Sequence, residues 1–364
     1  LNALRTISAE GTSIWLDDLS RARLSATSPA SLSQLILSHC VVGVTTNPSI
    51  FQQAISKSDL YLPEINQRRG SSAEEVITAL TSADVRDACD LLMPIYLSSQ
   101  GKDGRVSIEV DPRIAHETEK TIAQAHQLWE SIKRPNLMIK VPATLAGIPA
   151  ITSLIAAGIS VNVTLIFSAE RYRQVLDAFL AGLRTRANEG LPLGDVHSVA
   201  SFFISRVDSA VDPILEEIGT SEAKALLGVA AIANAKVAYG IFEESLQSDL
   251  WQSLAKLGAH PQRPLWASTG VKNARYDESR YVVELVAPHT VNTMPEATLI
   301  AVQDSGKPRG NTISGTTERA HADLAALANV GVDLPAILQE LERDGVAKFE
   351  AAWNELISVV AAQL

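Results

Sequence analysis

Short apolar runs rich in β-branched and aromatic residues recur along the chain, each followed by a segment with helical spacing. They lie at 13–19, 41–46, 106–110, 137–141, 160–164, 198–203, 265–268 and 290–293. Their composition predicts strands. Between two of them Ile122, Ala125, Trp129 and Ile132 fall on one helical stripe. Ser168 stands two residues ahead of Glu170 and an apolar pattern of Val175, Ala178, Phe179 and Leu183, the form of a capped helix start. Ser72-x-x-Glu75 before Val76 and Ile77 has the form of a capping box.

Eight strands alternating with helices predict an α/β protein, a single (β/α)8 TIM-type barrel. A doubly wound open sheet is the other architecture with this alternation, but no Gly-rich dinucleotide turn follows any strand. Two parts exceed a minimal barrel. Residues 48–105 read as an insertion of two or three helices between the second and third strands. Residues 334–364 read as a long C-terminal helix with Leu338, Leu341, Val346, Phe349 and Trp353 on its apolar face. No fixed-period repeat, linker or low-complexity tract divides the chain, so one domain over 1–364 is expected.

No charged residue occurs between Lys140 and Glu170, a length that could pass for a membrane span. Pro142, Gly147, Pro149, Gly158 and Asn162 interrupt it. It reads instead as strand, buried helix and strand, because parallel strands covered on both faces are apolar throughout.

Thirty-one Lys and Arg against 41 Asp and Glu give a net charge of −10. That balance argues against a nucleic-acid or anionic-membrane partner, yet leaves anionic small substrates open through a few local cations. The two cysteines, Cys40 and Cys89, have apolar neighbours and form no CxxC, as expected of buried free thiols in a reducing compartment. The N-terminal residues lack a basic region followed by an apolar core, so no signal peptide is expected and a cytoplasmic location is. The seven histidines show no HxxxH or HxH spacing and no pairing with cysteine, so no metal site is expected.

In a barrel of this kind chemistry belongs at the C-terminal strand ends. The first strand ends in Asp17-Asp18, the second at Asn47, the third at Glu109 and Asp111. The fourth carries Lys140, the fifth Asn162 and Thr164, the sixth Ser201 and then Arg206. Lys272 follows the seventh, and Asn292 lies in the eighth. Polar groups in strands are costly unless paired or used.

Lys140, in Leu-Met-Ile-Lys-Val-Pro, stands out. Desolvation favours an uncharged amine, which can attack a carbonyl. The same residue could instead snorkel to solvent or form a structural ion pair with Glu109. Asp17 and Glu109 supply carboxylates for the proton transfers of Schiff-base chemistry, or else serve as strand-end caps. Arg206 and Lys272, after the late strands, suit a phosphate group or are simply solvated loop cations. Asp18, Asp111 and Arg113 read as structural.

The motifs together resemble transaldolase, over nearly the whole chain and in its longer actinobacterial-type branch. They are Trp15-Leu-Asp17-Asp-Leu-Ser-Arg21, Gly43-Val-Thr-Thr-Asn47-Pro-Ser-Ile-Phe51, Ile108-Glu109-Val-Asp-Pro112 and Leu137-Met-Ile-Lys140-Val-Pro-Ala-Thr144. Further on come Val161-Asn162-Val-Thr164-Leu-Ile-Phe167, Ser201-Phe-Phe-Ile-Ser-Arg206 and Ala267-Ser-Thr-Gly-Val-Lys272-Asn273. The resemblance implies a cofactor-free class I transferase of the non-oxidative pentose phosphate pathway. It would carry a dihydroxyacetone unit from sedoheptulose 7-phosphate or fructose 6-phosphate to glyceraldehyde 3-phosphate or erythrose 4-phosphate.

By that resemblance Lys140 is the Schiff-base lysine and Asp17 the acid/base at the substrate C4 hydroxyl. Glu109 and Thr164 would position a catalytic water, Asn47, Asn162 and Ser201 would contact the dihydroxyacetone unit, and Arg206 would bind phosphate. Two features depart from the pattern. Lys272 stands where some branches have Arg, and no Pro follows Ser201. A Schiff-base aldolase releasing free dihydroxyacetone and a non-catalytic sugar-phosphate-binding barrel are the alternatives. A monomer and a homodimer are equally compatible with the sequence.

Overall fold

The apolar runs become strands that bury nearly every residue they contain. The computed structural model describes residues 2–28 and 30–364. Its strands are β1 (Thr12–Leu16), β2 (Val41–Val44), β3 (Arg105–Glu109) and β4 (Leu137–Pro142), then β5 (Val161–Ile166), β6 (Ser198–Phe203), β7 (Arg263–Ala267) and β8 (Thr290–Met294). All pair in parallel, each with its sequence neighbour, and β1 pairs with β8 to close the ring. Closure excludes the open doubly wound sheet. Helices cover the outside of the ring, so both strand faces are dry.

Some boundaries differ from the sequence reading. β1 stops at Leu16, because two adjacent carboxylates do not fit a fully buried ladder; Asp18 turns away to Arg23 at 2.7 Å. β7 starts two residues earlier, at Arg263 and Pro264, which look unlike a strand yet pair with Val199 and Ala200. The helix Thr118–Ile132 buries Thr121, Ala125, Leu128 and Ile132, while Ile122 and Trp129 are half-buried at the edge. Cys89 is buried, but Cys40 is only half so; both are free thiols.

The uncharged stretch is β4, the helix Gly147–Ala156 and β5. No single helix among the described residues is long and apolar enough to cross a membrane. Inside the barrel, Trp15 fills space that Gly43 leaves free: a Cβ on Gly43 would lie 2.5 Å from Trp15 Cε2.

The insertion holds the helices Pro48–Ser56, Leu62–Gln67 and Ala73–Ser98. Ser72 and Glu75 form both halves of the capping box. An ionic cluster fastens the insertion to the segment after β1. Arg21 reaches Glu64 at 2.5 Å and Asp84 at 3.2 Å, and the Tyr61 hydroxyl donates to Asp84 at 2.6 Å.

The C-terminal helix, Leu334–Ala361, buries Leu338, Val346, Phe349, Trp353, Leu356 and Val360. It packs on the helix Pro48–Ser56 and on the end of β5. Gly345 permits that approach, since a Cβ there would meet Leu165 Cδ2 at 2.9 Å. This helix therefore crosses the barrel at its C-terminal mouth.

Candidate active site

Strand register sets the first row of the site. Glu109 lies beside Lys140 in the β3–β4 pairing, and Lys140 beside Asn162 in β4–β5. Lys140 is 4% exposed, and its Nζ donates to the Thr46 carbonyl at 3.0 Å. The same nitrogen is 3.5 Å from Glu109 Oε2. Neither Glu109 oxygen nor Thr164 Oγ1 has a hydrogen-bond partner, although all are buried. Burial pushes the Glu109 carboxyl up to about 7, against the opposing pull of the Lys140 charge.

Asn162 is fixed at both ends. Its Nδ2 donates to Ser107 Oγ at 3.0 Å, and its Oδ1 accepts from Ser201 Oγ at 2.7 Å. Asp17, just past β1, accepts from Thr45 Oγ1 at 2.7 Å, and Thr45 also contacts Thr293 Oγ1 at 2.6 Å. Desolvation raises the Asp17 pKa, with the Lys140 charge opposing it. Asn47 caps the helix Pro48–Ser56, accepting from the Ile50 N–H at 3.0 Å. Its Nδ2 is not used in that cap.

Asp17, Asn47, Lys140, Ser201, Arg206 and Lys272 line one cavity of about 130 Å³, with Phe203 and Phe349 as apolar walls. Glu109, Asn162 and Thr164 are not part of that lining. Glu109 instead opens on a small neighbouring cleft bounded by Phe51 and Trp353. The carboxylates thus approach the amine from two sides, Asp17 in the cavity and Glu109 behind it.

Arg206 is the second residue of the helix Ser205–Ile218, immediately after β6. Its Nη1 is buried without a partner, and burial lowers the guanidinium pKa. Lys272 is exposed in the loop after β7. Two tyrosines tie that loop to the Arg206 helix: Tyr276 donates to Asp212 at 2.6 Å and Tyr281 to Asp208 at 2.7 Å. Among the described residues neither cation has a carboxylate at ion-pair distance. Asp111 pairs with Arg113 at 2.6 Å, as a structural pair would. Among the described residues no three His, Cys, Asp or Glu side chains converge as a metal would require.

Sequence reasoning assigned no role to Thr45, Ser268 or Phe349. Thr45 stands in the motif beside Asn47, but its contact to Asp17 depends on strand stagger. Ser268 has a positive φ of 55° and contacts Ser205 Oγ at 3.1 Å, a local strain no residue pattern announces. Phe349 was visible on an apolar helix face; which surface that face covers was not.

A closed parallel barrel with a buried lysine and carboxylates at its C-terminal mouth has the build of a (β/α)8 enzyme. The description of the transaldolase/fructose-6-phosphate aldolase family matches residues 14–360, and the chain belongs to that family. It is 54% identical, over all of its length and 97% of the relative's, to Transaldolase 2 of Streptomyces coelicolor. It is 55% identical to a transaldolase of Mycolicibacterium smegmatis and 53% to one of Mycobacterium tuberculosis, each over 99% of this chain and 97% of the relative. The chain has transaldolase function, a transferase activity on phosphorylated sugars.

Proposed function

We propose that Lys140 carries the reaction as a Schiff-base nucleophile. The uncharged amine adds to the C2 carbonyl of a ketose phosphate. The carbinolamine loses water, with Glu109 and a water held by Thr164 moving the proton, and a protonated imine results. Asp17 takes the C4 hydroxyl proton. The C3–C4 bonding pair then flows to the imine nitrogen, C4 becomes an aldehyde, and the aldose phosphate departs. The remaining three-carbon enamine adds through C3 to the aldehyde of an acceptor. Asp17 returns its proton to the new alkoxide, and water hydrolyses the imine.

Asn47, Asn162 and Ser201 hold the three-carbon unit, while Arg206 and Lys272 receive the phosphate. The fixed Ser201–Asn162–Ser107 chain supports this reading, because it presents polar groups without rearrangement. The donors are sedoheptulose 7-phosphate or fructose 6-phosphate. Phe203 and Phe349 favour transfer over release of free dihydroxyacetone, since they shield the enamine from water. The enzyme works as one barrel domain, monomer or homodimer, in the cytoplasm, without nucleic-acid or membrane partners.

The observation that carries the proposal is the buried amine of Lys140 between Thr46 and Glu109. Borohydride reduction with fructose 6-phosphate is expected to leave a three-carbon or six-carbon adduct on the peptide containing Lys140. No adduct there at saturating sugar overturns it.

A further inference from the structure

The opposite, N-terminal mouth of the barrel holds a second cavity, of about 250 Å³, which shares no lining residue with the catalytic one. Its walls come from residues at the strand starts: Lys102 before β3, His197 before β6, His260 and Arg263 at β7, and His289 before β8. The His197 and His260 rings stack at 4.3 Å.

Arg105, the first residue of β3, stands beside this wall and is fully buried. It donates to the Gly101 carbonyl at 2.6 Å and to Ser160 Oγ at 3.3 Å, but its Nη2 has no partner. Arg105 Nη2 and His197 Nε2 lie 3.2 and 3.1 Å from the point a Cβ on Gly101 would occupy, so Arg105 sits behind His197 rather than in the lining, with its guanidinium over the Tyr96 ring at 5.2 Å. Arg263 has a carboxylate, Asp103, at 3.1 Å. Asp103 is already engaged by Ser13 and Trp15. Among the described residues no carboxylate stands at ion-pair distance from Arg105 or Lys102. A buried guanidinium without a paired carboxylate is costly, and the Tyr96 ring and the more distant Asp103 charge offset that only in part. In a chain of net charge −10, this collection of cations is a local feature with a local cause.

We propose that the N-terminal mouth is a second anion site, which takes a phosphate group as inorganic phosphate or on a small ester. The cavity lies below the roughly 300–1,000 Å³ of drug-sized sites, so the ester carries a short tail. Burial, then Arg105, His260 and Arg263, holds His197 down at about 2. Burial and neighbouring cations also lower His260 and His289, with Asp195 opposing at His260. Neutral imidazoles offer N–H donors, Lys102 and Arg263 in the lining add charged ones, and Arg105 behind His197 adds positive potential. A bound phosphate places negative charge against all three rings and raises their pKa values.

The test is histidine-ring NMR on the full chain at constant ionic strength, titrated with inorganic phosphate and, separately, with glycerol 3-phosphate. The His197, His260 and His289 signals are expected to shift saturably and to titrate at higher pH, while His126 and His321 stay still. Tighter binding of the ester assigns a metabolite as ligand; equal binding assigns free phosphate. Lys102→Glu, at an exposed position, weakens binding about tenfold and leaves the fold intact. His260→Asn checks the same wall from a second strand. No selective shift with either anion, or wild-type affinity in both variants, overturns the site.

Discussion

The amine of Lys140 stands 3.5 Å from a Glu109 oxygen, and that carboxylate has no hydrogen-bond donor of its own. Burial without a donor, rather than the Lys140 charge that opposes it, makes Glu109 a stronger proton acceptor than an ordinary carboxylate. Its carboxyl, pushed up to about 7 by burial, exchanges a proton near neutrality rather than near pH 4.

If Glu109 serves imine formation as proposed, that step should show a break near pH 7, falling on the alkaline side as its carboxyl loses a proton. Glu109→Gln should remove the break and slow the step by roughly 10²–10⁴-fold. Pre-steady-state borohydride quenching at several pH values measures it. Stability carries the same sign. A carboxyl with a raised folded pKa stabilises fully below its unfolded value, and that contribution is lost as pH rises through about 7. Urea midpoints of Glu109→Gln should lack this decline.

The proposed mechanism gives Asp17 different work, because it lines the cavity while Glu109 lines the neighbouring cleft. Asp17→Ala should still form the borohydride-trapped adduct but cleave C3–C4 roughly 10²–10⁴-fold more slowly. If trapping fails and cleavage of preformed imine does not change, the two carboxylates have been given each other's roles.

Much of this was legible in the chain. The eight apolar runs located all eight strands, because a strand dry on both faces has no polar alternation to disguise it. Polar residues at their ends marked Asp17, Lys140 and Arg206 for the same reason: each interrupts a pattern that burial otherwise enforces. Contacts set by stagger were not legible. Thr45 reaches Asp17 just past a shift in the β1–β2 register between Ile14 and Leu16, which no residue pattern announces. Phe349 comes to the mouth from the far end of the chain, and no local pattern carries that information.

Arg206 and Lys272 should differ in weight. Arg206 is half-buried, a fork with a buried, unpartnered Nη1, while Lys272 is exposed and offers a point charge. Arg206→Ala should lower kcat/KM for phosphorylated sugars by roughly 10–10²-fold, about 1.5–3 kcal/mol, and Lys272→Ala by less. Free dihydroxyacetone as donor, lacking the phosphate, should be nearly indifferent to both. Equal losses with and without phosphate would remove the assignment.

The cluster holding the insertion gives a stability prediction independent of catalysis. Asp84 is buried, its pKa pushed up to about 6 by desolvation, and the Tyr61 hydroxyl satisfies one oxygen at 2.6 Å. Tyr61→Phe leaves that oxygen bare and should cost about 1–3 kcal/mol in urea unfolding. The loss should be largest above pH 6, where the carboxylate is charged, and should shrink as acid protonates it.

Phe349 bears on the choice between transfer and release. Its ring centroid lies 5.9 Å from Lys140 Nζ, and it reaches the cavity from a helix whose Gly345 lets it approach Leu165 at the end of β5. An enamine at Lys140 needs an aldehyde to arrive before water or a proton does, so an apolar wall beside the amine changes the partition without touching bond cleavage. Phe349→Leu keeps an apolar side chain but shortens the wall. Donor cleavage should stay near the wild-type rate, while free dihydroxyacetone released per transfer event rises roughly tenfold, about 1.4 kcal/mol of discrimination. Product analysis with and without acceptor separates the two. A variant that loses cleavage and transfer in equal measure would mean that Phe349 holds Lys140 in place rather than excluding water from it.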